Sequence, residues 1–203
     1  MAKVEFHFDY GSPNCYLAHR VIPEIEKRTG AKFAYVPILL GGVFKSTNNQ
    51  SPMMAFKDVR NKLLYQQAET RRFVARHGLT KFASNPHFPV NTLQMMRGTC
   101  GLVGKPDFMT YVEVLFCAMW ENGKKMDDPE VIVATLDAAG LDGKGFMALT
   151  QDANAKALLL SNTEKSVERG TFGAPMFFVD DEIFFGKDTL DEVERVIGAA
   201  KAA

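Results

Sequence analysis

Strand-forming sequence occurs at the two ends of this chain, and this distribution constrains the fold more than any other feature. Near the start, residues 4–10 (V-E-F-H-F-D-Y) alternate apolar and polar side chains, which is the period of a strand. Ser12 before Pro13 predicts a helix start, because serine accepts a backbone N–H and proline suits the first helical position. Residues 32–40 predict a second strand, which Pro37 places near an edge or makes irregular.

The other end predicts a hairpin and a helix. Residues 175–179 (P-M-F-F-V) and 182–185 (E-I-F-F) have strand character, and the two aspartates between them predict the turn. A final helix is predicted to begin near Asp188, because apolar residues then recur at helical spacing. The order at this end is therefore β-β-α.

Helix formers dominate the middle of the chain, from about residue 52 to residue 169. The predicted helices include residues 53–76, 91–102, 107–121, 129–139 and 153–168. A β-α-β start, a helical middle and a β-β-α finish predict an α/β protein of thioredoxin-like fold with an inserted all-helical domain. We expect residues 1–50 and 170–203 to form the thioredoxin-like domain and residues 51–169 to form the insertion.

The composition of the sequence argues against several classes of binding partner. Basic and acidic residues balance at 24 each, so neither nucleic acid nor a membrane surface is expected as a partner. No apolar run approaches the roughly 20 residues that span a bilayer, and the start lacks the pattern of a secretory signal. We therefore expect a cytoplasmic protein. The three cysteines and four histidines have neither disulfide nor metal-ligand spacing, so no metal is expected.

The turn Ser12-Pro13-Asn14-Cys15 is the first candidate for chemistry. A helix N-terminus presents free N–H groups and about half a positive charge, which stabilises an anion. Thioredoxin-type oxidoreductases hold a thiolate here in a Cys-X-X-Cys motif, but Ser12 stands at the first position and cannot form that disulfide. Its hydroxyl is either a donor to the thiolate of a ligand or only a helix cap. Cys15, which has no partner cysteine at position 12, is expected to be a buried apolar residue.

The second candidate is Pro175, which opens an apolar strand after a glycine turn and is a candidate for a cis peptide. A cis bond would leave the N–H and C=O of Ala174 free to pair with an extended peptide. The alternative is a proline that merely begins a strand.

The third candidate is the segment F-G-K-D-T at residues 185–189. Asp188 could hold the amino group of a ligand through its carboxylate. The alternative is that Asp188 and Asp191 form a helix-capping arrangement.

Weaker candidates lie between the second strand and residue 91. They comprise two residues of a polar loop, four on a long helix where a solvated face is the simpler interpretation, and two of a later loop. These are Lys45 and Asn49, then Lys62, Tyr65, Arg71 and Arg72, then His87 and Asn91.

Together, these segments resemble one family. The motifs are F-H-F-D-Y-G-S-P-N-C-Y-L-A at the start, G-G-V-F-K and N-P-H-F-P-V-N-T-L in the middle, and F-G-A-P-M-F-F-V-D-D-E-I-F-F-G-K-D-T-L at the end. They are similar to 2-hydroxychromene-2-carboxylate isomerases and to kappa-class glutathione transferases, both of the DsbA-like branch of the thioredoxin superfamily. The resemblance covers essentially the whole chain with matching order and spacing.

The resemblance implies that glutathione is the cofactor and assigns its contacts. Ser12 faces the sulfur, and Ala174 before the cis Pro175 pairs with the cysteinyl part. The γ-glutamyl end is bound by the segment that follows the hairpin, where Thr189 departs from the arginine common in the family. That segment comprises Phe185, Gly186, Lys187, Asp188 and Thr189.

The resemblance also implies the activity, which is isomerisation of an aromatic-derived small molecule in aromatic compound catabolism, by a cytoplasmic homodimer. The expected substrate-binding residues are Lys45, Asn49 and Lys62, with His87 and Asn91 as pocket candidates. Three alternatives remain open: a conjugating kappa-class-like transferase, a DsbA-like thiol oxidoreductase, and a glutathione-binding module without catalysis.

Overall fold

A four-stranded sheet lies at the centre of the computed structural model, which describes residues 2–202. The strands are β1 (Val4–Phe8), β2 (Phe33–Pro37), β3 (Met176–Val179) and β4 (Glu182–Phe185). Their order across the sheet is β2-β1-β3-β4, with β2 parallel to β1 and the other two pairs antiparallel. Val4 on β1 is opposite Phe33 on one side and Val179 on the other. The two ends of the chain therefore meet in one sheet.

Helices account for the regular structure between β2 and β3 in the described residues. After α1 (Pro13–Thr29), they are α2 (Leu40–Ser46), α3 (Pro52–Ala55), α4 (Arg60–His77), α5 (Leu93–Cys100), α6 (Phe108–Trp120), α7 (Pro129–Ala138), α8 (Gly143–Leu149) and α9 (Ala153–Glu168). A 3-10 turn at Lys187–Thr189 leads into α10 (Leu190–Ala202). The predicted fold class, a thioredoxin-like sheet with many helices, is confirmed.

Both faces of the central strand are covered. All five residues of β1 are buried, including the polar Glu5 and His7 that the alternating pattern placed on one face. His7 Nδ1 lies 2.8 Å from Ser166 Oγ on α9, so α9 covers this polar face. On the opposite face, the Phe8 ring contacts Phe116 of α6. The end of β1 is therefore enclosed by helices on both sides.

The second predicted strand was too long, and the polar loop predicted after it is partly a helix. The strand ends at Pro37, and α2 begins at Leu40, whose N–H donates to the Asp9 carboxylate at 2.8 Å. A Cβ on Gly42 would lie 3.2 Å from a Thr163 methyl carbon, so glycine here permits close packing against α9. Gly42 therefore serves helix packing, whereas a Cβ on Gly41 would meet no described atom within 4 Å.

The prediction of a single helix over residues 53–76 was also wrong. It is divided into α3 and α4, because the chain turns at Phe56–Val59, where the Val59 N–H donates to the Phe56 carbonyl. One further helix, α8, was not predicted, because its glycines resembled a loop. A Cβ on Gly143 would lie 2.6 Å from the Val133 carbonyl oxygen of α7, which explains the glycine.

The domain boundaries stay a prediction. Helix α9, predicted as part of the insertion, packs against the sheet layer: Asn162 donates to the Pro37 carbonyl at 3.1 Å. The outermost predicted residues, 1 and 203, lie outside the described residues. Among the helices that are described, none is both long and apolar enough to cross a membrane.

Candidate active site

Ser12 joins the first helix to the start of β3. Its hydroxyl oxygen accepts the Cys15 N–H at 3.2 Å and so caps α1, and the same hydroxyl donates to the Ala174 carbonyl at 2.9 Å. Ser12 is buried, with 5% of its surface exposed. The two ends of the chain thus converge on one hydroxyl at a helix N-terminus, where partial positive charge favours an anion.

The peptide bond between Ala174 and Pro175 is cis, which decides between the two alternatives that the sequence left open. The prediction that both backbone groups of Ala174 are free was wrong for the carbonyl, because it accepts the Ser12 hydroxyl. Its N–H makes no hydrogen bond within residues 2–202. One backbone donor therefore remains just before β3, next to Ser12.

The segment after the hairpin is tied to this proline. The Gly186 N–H donates to the Pro175 carbonyl at 3.0 Å, and Gly186 has a φ of 90°, which favours glycine. The Thr189 hydroxyl donates back to the Gly186 carbonyl at 2.9 Å. The Ser12 turn, the cis proline and the G-K-D segment form one continuous cluster.

Asp188 presents an exposed carboxylate backed by a buried lysine. Lys187 Nζ donates to both Asp188 oxygens, at 2.6 and 2.5 Å, while the lysine side chain is 3% exposed and the aspartate 61%. The lysine also lies 4.9 Å from the ring centroid of Phe73 on α4. No described side chain caps the 3-10 turn, and the Asp188 oxygens accept hydrogen bonds from Lys187 instead, so the capping alternative does not hold for this turn. The outer side of the carboxylate faces solvent.

Two aromatic rings flank the cluster. Phe172 and Phe185 are both exposed, and their ring centroids are 4.5 Å apart. A Cβ on Gly173 would lie 2.9 Å from the Phe185 ring, so this glycine allows the ring to pack against the chain before Ala174. The pair forms an apolar edge beside the candidate site.

Of the five predicted substrate-binding residues, one contacts the cluster and, in the described part of the chain, the other four do not. The Asn49 amide donates to the Phe172 carbonyl at 2.8 Å, two residues before Ala174, so this residue reaches the cluster directly. The others are exposed and have no direct contact with Ser12 or Ala174 among the described residues. They are Lys45 on α2, Lys62 on α4 with its Nζ 5.5 Å from the Phe56 ring centroid, His87, and Asn91, which accepts the Leu93 N–H.

Sequence reasoning missed Asp9, which lies under the Ser12 turn. Its carboxylate is buried and accepts the Gly11 N–H and the Leu40 N–H, each at 2.8 Å, and the Thr92 hydroxyl. Burial raises the pKa of Asp9, although these three hydrogen bonds oppose the shift. In the sequence, Asp9 is one polar member of an alternating strand, and no local pattern indicates that it is buried.

A family model described as a DSBA-like thioredoxin domain matches residues 3–198. The chain belongs to this family.

Relatives of this DSBA-like chain match it over nearly its whole length. A 2-hydroxychromene-2-carboxylate isomerase from Sphingobium xenophagum is 26% identical over 96% of this chain and 97% of the relative. One from Pseudomonas putida is 27% identical over 96% and 94%, respectively. A glutathione S-transferase kappa 1 from Caenorhabditis elegans is 23% identical over 93% of this chain and 87% of the relative.

Solved structures agree with the family. The structure of a 2-hydroxychromene-2-carboxylate isomerase superposes with a TM-score of 0.80 at 27% identity, covering 97% of this chain and 95% of that one. A probable DsbA oxidoreductase from Streptomyces coelicolor has a TM-score of 0.69 at 13% identity, covering 100% and 91%. The second match shows a shared fold alone.

The cysteine at the start of α1 is withdrawn from solvent in this DSBA-like chain. Cys15 is fully buried, as predicted, and burial raises the pKa of its thiol to about 12. Ser12 occupies the position that faces Ala174. This DSBA-like chain therefore presents a hydroxyl, rather than a thiolate of its own, at the helix N-terminus.

Unpaired positive charge is concentrated beside this site, although the chain total is balanced. Between residues 45 and 81 there are eight basic residues and two acidic ones. The basic residues are Lys45, Lys57, Arg60, Lys62, Arg71, Arg72, Arg76 and Lys81. Within residues 2–202 none of the eight forms an ion pair. This segment gives the DSBA-like chain a positive potential next to Lys187 and Asp188.

Proposed function

We propose that the protein is a glutathione-dependent isomerase of the 2-hydroxychromene-2-carboxylate type. The observation that carries this proposal is the Ser12 hydroxyl at the N-terminus of α1, directed at Ala174, while Cys15, the thiol on the same helix, is buried. A site with a hydroxyl donor and no usable sulfur is suited to a sulfur that a ligand brings. The whole-length relatives named as isomerases supply the reaction class.

The donor set fits a glutathione tripeptide. The free N–H of Ala174 suits a peptide carbonyl, and the exposed side of the Asp188 carboxylate suits an ammonium group. Ser12 and the carbonyl of Ala174 satisfy each other by one hydrogen bond. Rotation of the Ser12 hydroxyl would release both groups, one to donate to a thiolate and one to accept a peptide N–H.

The contribution of Ser12 is to lower the pKa of a bound thiol. A free thiol has a pKa of about 8.5, so only a few per cent is thiolate at pH 7. A hydroxyl donor and the dipole of α1 both favour the anion, and each pKa unit of lowering corresponds to about 1.4 kcal/mol. Two such groups account for a shift of about one or two units.

The remaining chain residues bind and orient the substrate. When bound, glutathione supplies the thiolate that adds reversibly to a conjugated carbon, which permits rotation before elimination. Lys45 and Asn49 are proposed to steady the carboxylate or the developing negative charge of the substrate. Lys62, His87 and Asn91 are proposed to line the substrate side of the pocket, beside the apolar edge of Phe172 and Phe185.

The alternative is a conjugating transferase of the kappa class, favoured by the similarity to kappa-class relatives. It would use the same activated thiolate but release a conjugate. A DsbA-like oxidoreductase is disfavoured by Ser12 and by the burial of Cys15. A binding module would retain glutathione affinity without turning over an electrophile. The cytoplasmic location, the homodimer and the role in aromatic catabolism stay predictions.

The test is a spectrophotometric isomerisation assay on 2-hydroxychromene-2-carboxylate, with and without glutathione. We expect turnover that requires glutathione and leaves its concentration unchanged. Loss of glutathione in step with product would replace the isomerase by the transferase. Robust insulin reduction would instead establish an oxidoreductase, and binding without any turnover would leave a binding module.

A further inference from the structure

Asp9 contacts three segments that carry proposed functional residues. The Gly11 N–H belongs to the turn that presents Ser12. The Leu40 N–H begins α2, the helix of Lys45. Thr92, the third donor, stands at the start of α5 and follows Asn91 directly. A single buried carboxylate therefore lies where the proposed thiolate half and the proposed substrate half of the site join.

The packing around this carboxylate leaves little freedom. A Cβ on Gly11 would lie 3.3 Å from an Asp9 oxygen and 3.2 Å from the Thr92 methyl carbon. The Asp9 backbone carbonyl also accepts the Ser12 N–H at 3.1 Å. Backbone and side chain of Asp9 together fix both ends of the short turn.

We propose that Asp9 is a positioning residue that holds the Ser12 turn at a fixed spacing from the α2 and α5 segments. This inference rests on the proposed function, because it assigns Asp9 a role in keeping the thiolate donor at a fixed distance from the substrate-binding residues. Displacing either half would disturb both cofactor activation and substrate binding.

The charge of Asp9 does not explain its presence. A carboxylate near a thiolate disfavours the anion, so a purely electrostatic role would oppose the activation of sulfur. Its geometry provides the explanation. Both oxygens accept hydrogen bonds, from Gly11 and from Leu40, and an asparagine of the same shape has only one accepting oxygen. Its NH₂ group would face a backbone N–H and push one segment away.

The experiment is Asp9→Asn with three measurements: the pKa of the glutathione thiol in the complex, the KM for the carboxylate substrate, and kcat. We expect the thiol pKa to rise toward its free value because Ser12 is displaced, the KM to rise, and turnover to fall by about 100-fold. A fall in the thiol pKa would show that Asp9 acts only as a nearby charge. An unchanged pKa and KM would show a structural role alone. Either result overturns the proposal.

Two further variants control for stability. Asp152→Ala removes a carboxylate that caps α9 by accepting the Ala155 N–H, so it should lower stability without moving the thiol pKa. Thr92→Val removes one donor to Asp9 and retains the shape of the side chain. If Asp9→Asn does not fold, Thr92→Val must shift the pKa and KM in the same direction, by a smaller amount, for the proposal to stand.

A ligand-free measurement separates this inference from the proposed function. In wild-type protein without glutathione, we expect slow amide hydrogen exchange at Gly11 and Leu40, which Asp9→Asn accelerates together. Unprotected amides at both positions would refute the positioning role. Protected amides in a protein that binds no glutathione would instead reject the proposed function and leave the structural link intact.

Discussion

The Ser12 turn and the arm formed by α3, α4 and the turn between them, residues 52–77, are built in opposite ways. Within residues 8–12, only Gly11 is not buried. The Tyr10 carbonyl accepts the Trp120 indole N–H at 2.7 Å, and the Tyr10 hydroxyl pairs with Thr99. In the arm, Phe73 alone is buried among all the residues.

This difference suggests that the Ser12 turn and the arm have different roles. A turn enclosed on all sides keeps a hydrogen-bond donor in place without reorganisation, which is what activation of a thiolate requires. The arm makes few buried contacts and carries unpaired cations and exposed apolar side chains, including Met54 and Tyr65. Segments with few buried contacts open at low free-energy cost, so the arm can adapt to a substrate while the turn cannot.

The largest expected difference between the turn and the arm is the loss of global stability when one phenylalanine is removed from each. Phe116→Ala leaves a cavity under the turn, and we expect it to lower the global free energy of unfolding by about 3–5 kcal/mol. Phe73→Ala should change global stability by less than about 1 kcal/mol, but accelerate hydrogen exchange along α4. Chemical denaturation and exchange measure the two effects. Equal losses of global stability would show that the arm is part of the core.

Ser12→Ala tests whether the turn is functional as well as rigid. We expect turnover to fall by about 10²–10³-fold, the range for loss of one preorganised donor, while stability falls by about 1 kcal/mol through loss of the helix cap. Steady-state kinetics and thermal unfolding measure these changes. Asp152→Ala is the matched control, because it removes a cap from α9 away from the site. A rate loss no larger than that of the control would mean that Ser12 is only a cap.

Acid should weaken the strand that carries the turn. Burial lowers the pKa of His7 to about 4, although Glu5 opposes the shift. The unfolded chain therefore binds a proton below about pH 6.5 that the folded chain takes up only near pH 4, so stability falls as pH falls through this window. The expected loss is about 3 kcal/mol. Denaturation curves from pH 7 to pH 4 measure it, and a His7→Gln variant should not show it.

The smallest expected effect comes from the charge of the arm. We expect kcat/KM for an anionic substrate to fall as salt increases, because steering by exposed charges is screened. Replacing Arg71 and Arg72 by glutamine should lower kcat/KM by up to about tenfold at low ionic strength and flatten the salt dependence. The same change of charge at Lys105 and Lys144, both exposed and outside the arm, serves as the control. Identical slopes in the two double variants would remove the arm from substrate capture.

Sequence reasoning found the parts of this protein whose signals are local. The Ser12-Pro13 helix start has a short-range cause and is present, and Pro175, a candidate for a cis peptide, does follow a cis bond. It failed where a distant contact decides the structure. Helix α2 begins because Leu40 meets Asp9, and the break before α4 has neither glycine nor proline to mark it.

The same distinction applies to the candidate site. Family resemblance and turn chemistry predicted that the segments of Ser12, Ala174 and Gly186 come together. Nothing in the sequence indicates that Lys187 is buried behind Asp188, or that Asp9 lies under the turn, because both depend on which helix covers them. Polar residues buried by tertiary packing resemble solvated ones in sequence.

The most direct measurement is the pKa of the glutathione thiol bound to the wild-type protein and to Ser12→Ala, by ultraviolet titration of the thiolate. With Ser12 present, we predict a pKa about one or two units below the free value of about 8.5, and with alanine a return most of the way to that value. The same bound pKa in both proteins, or no binding of the tripeptide to either, would contradict the proposal that this protein activates the thiol of a bound glutathione.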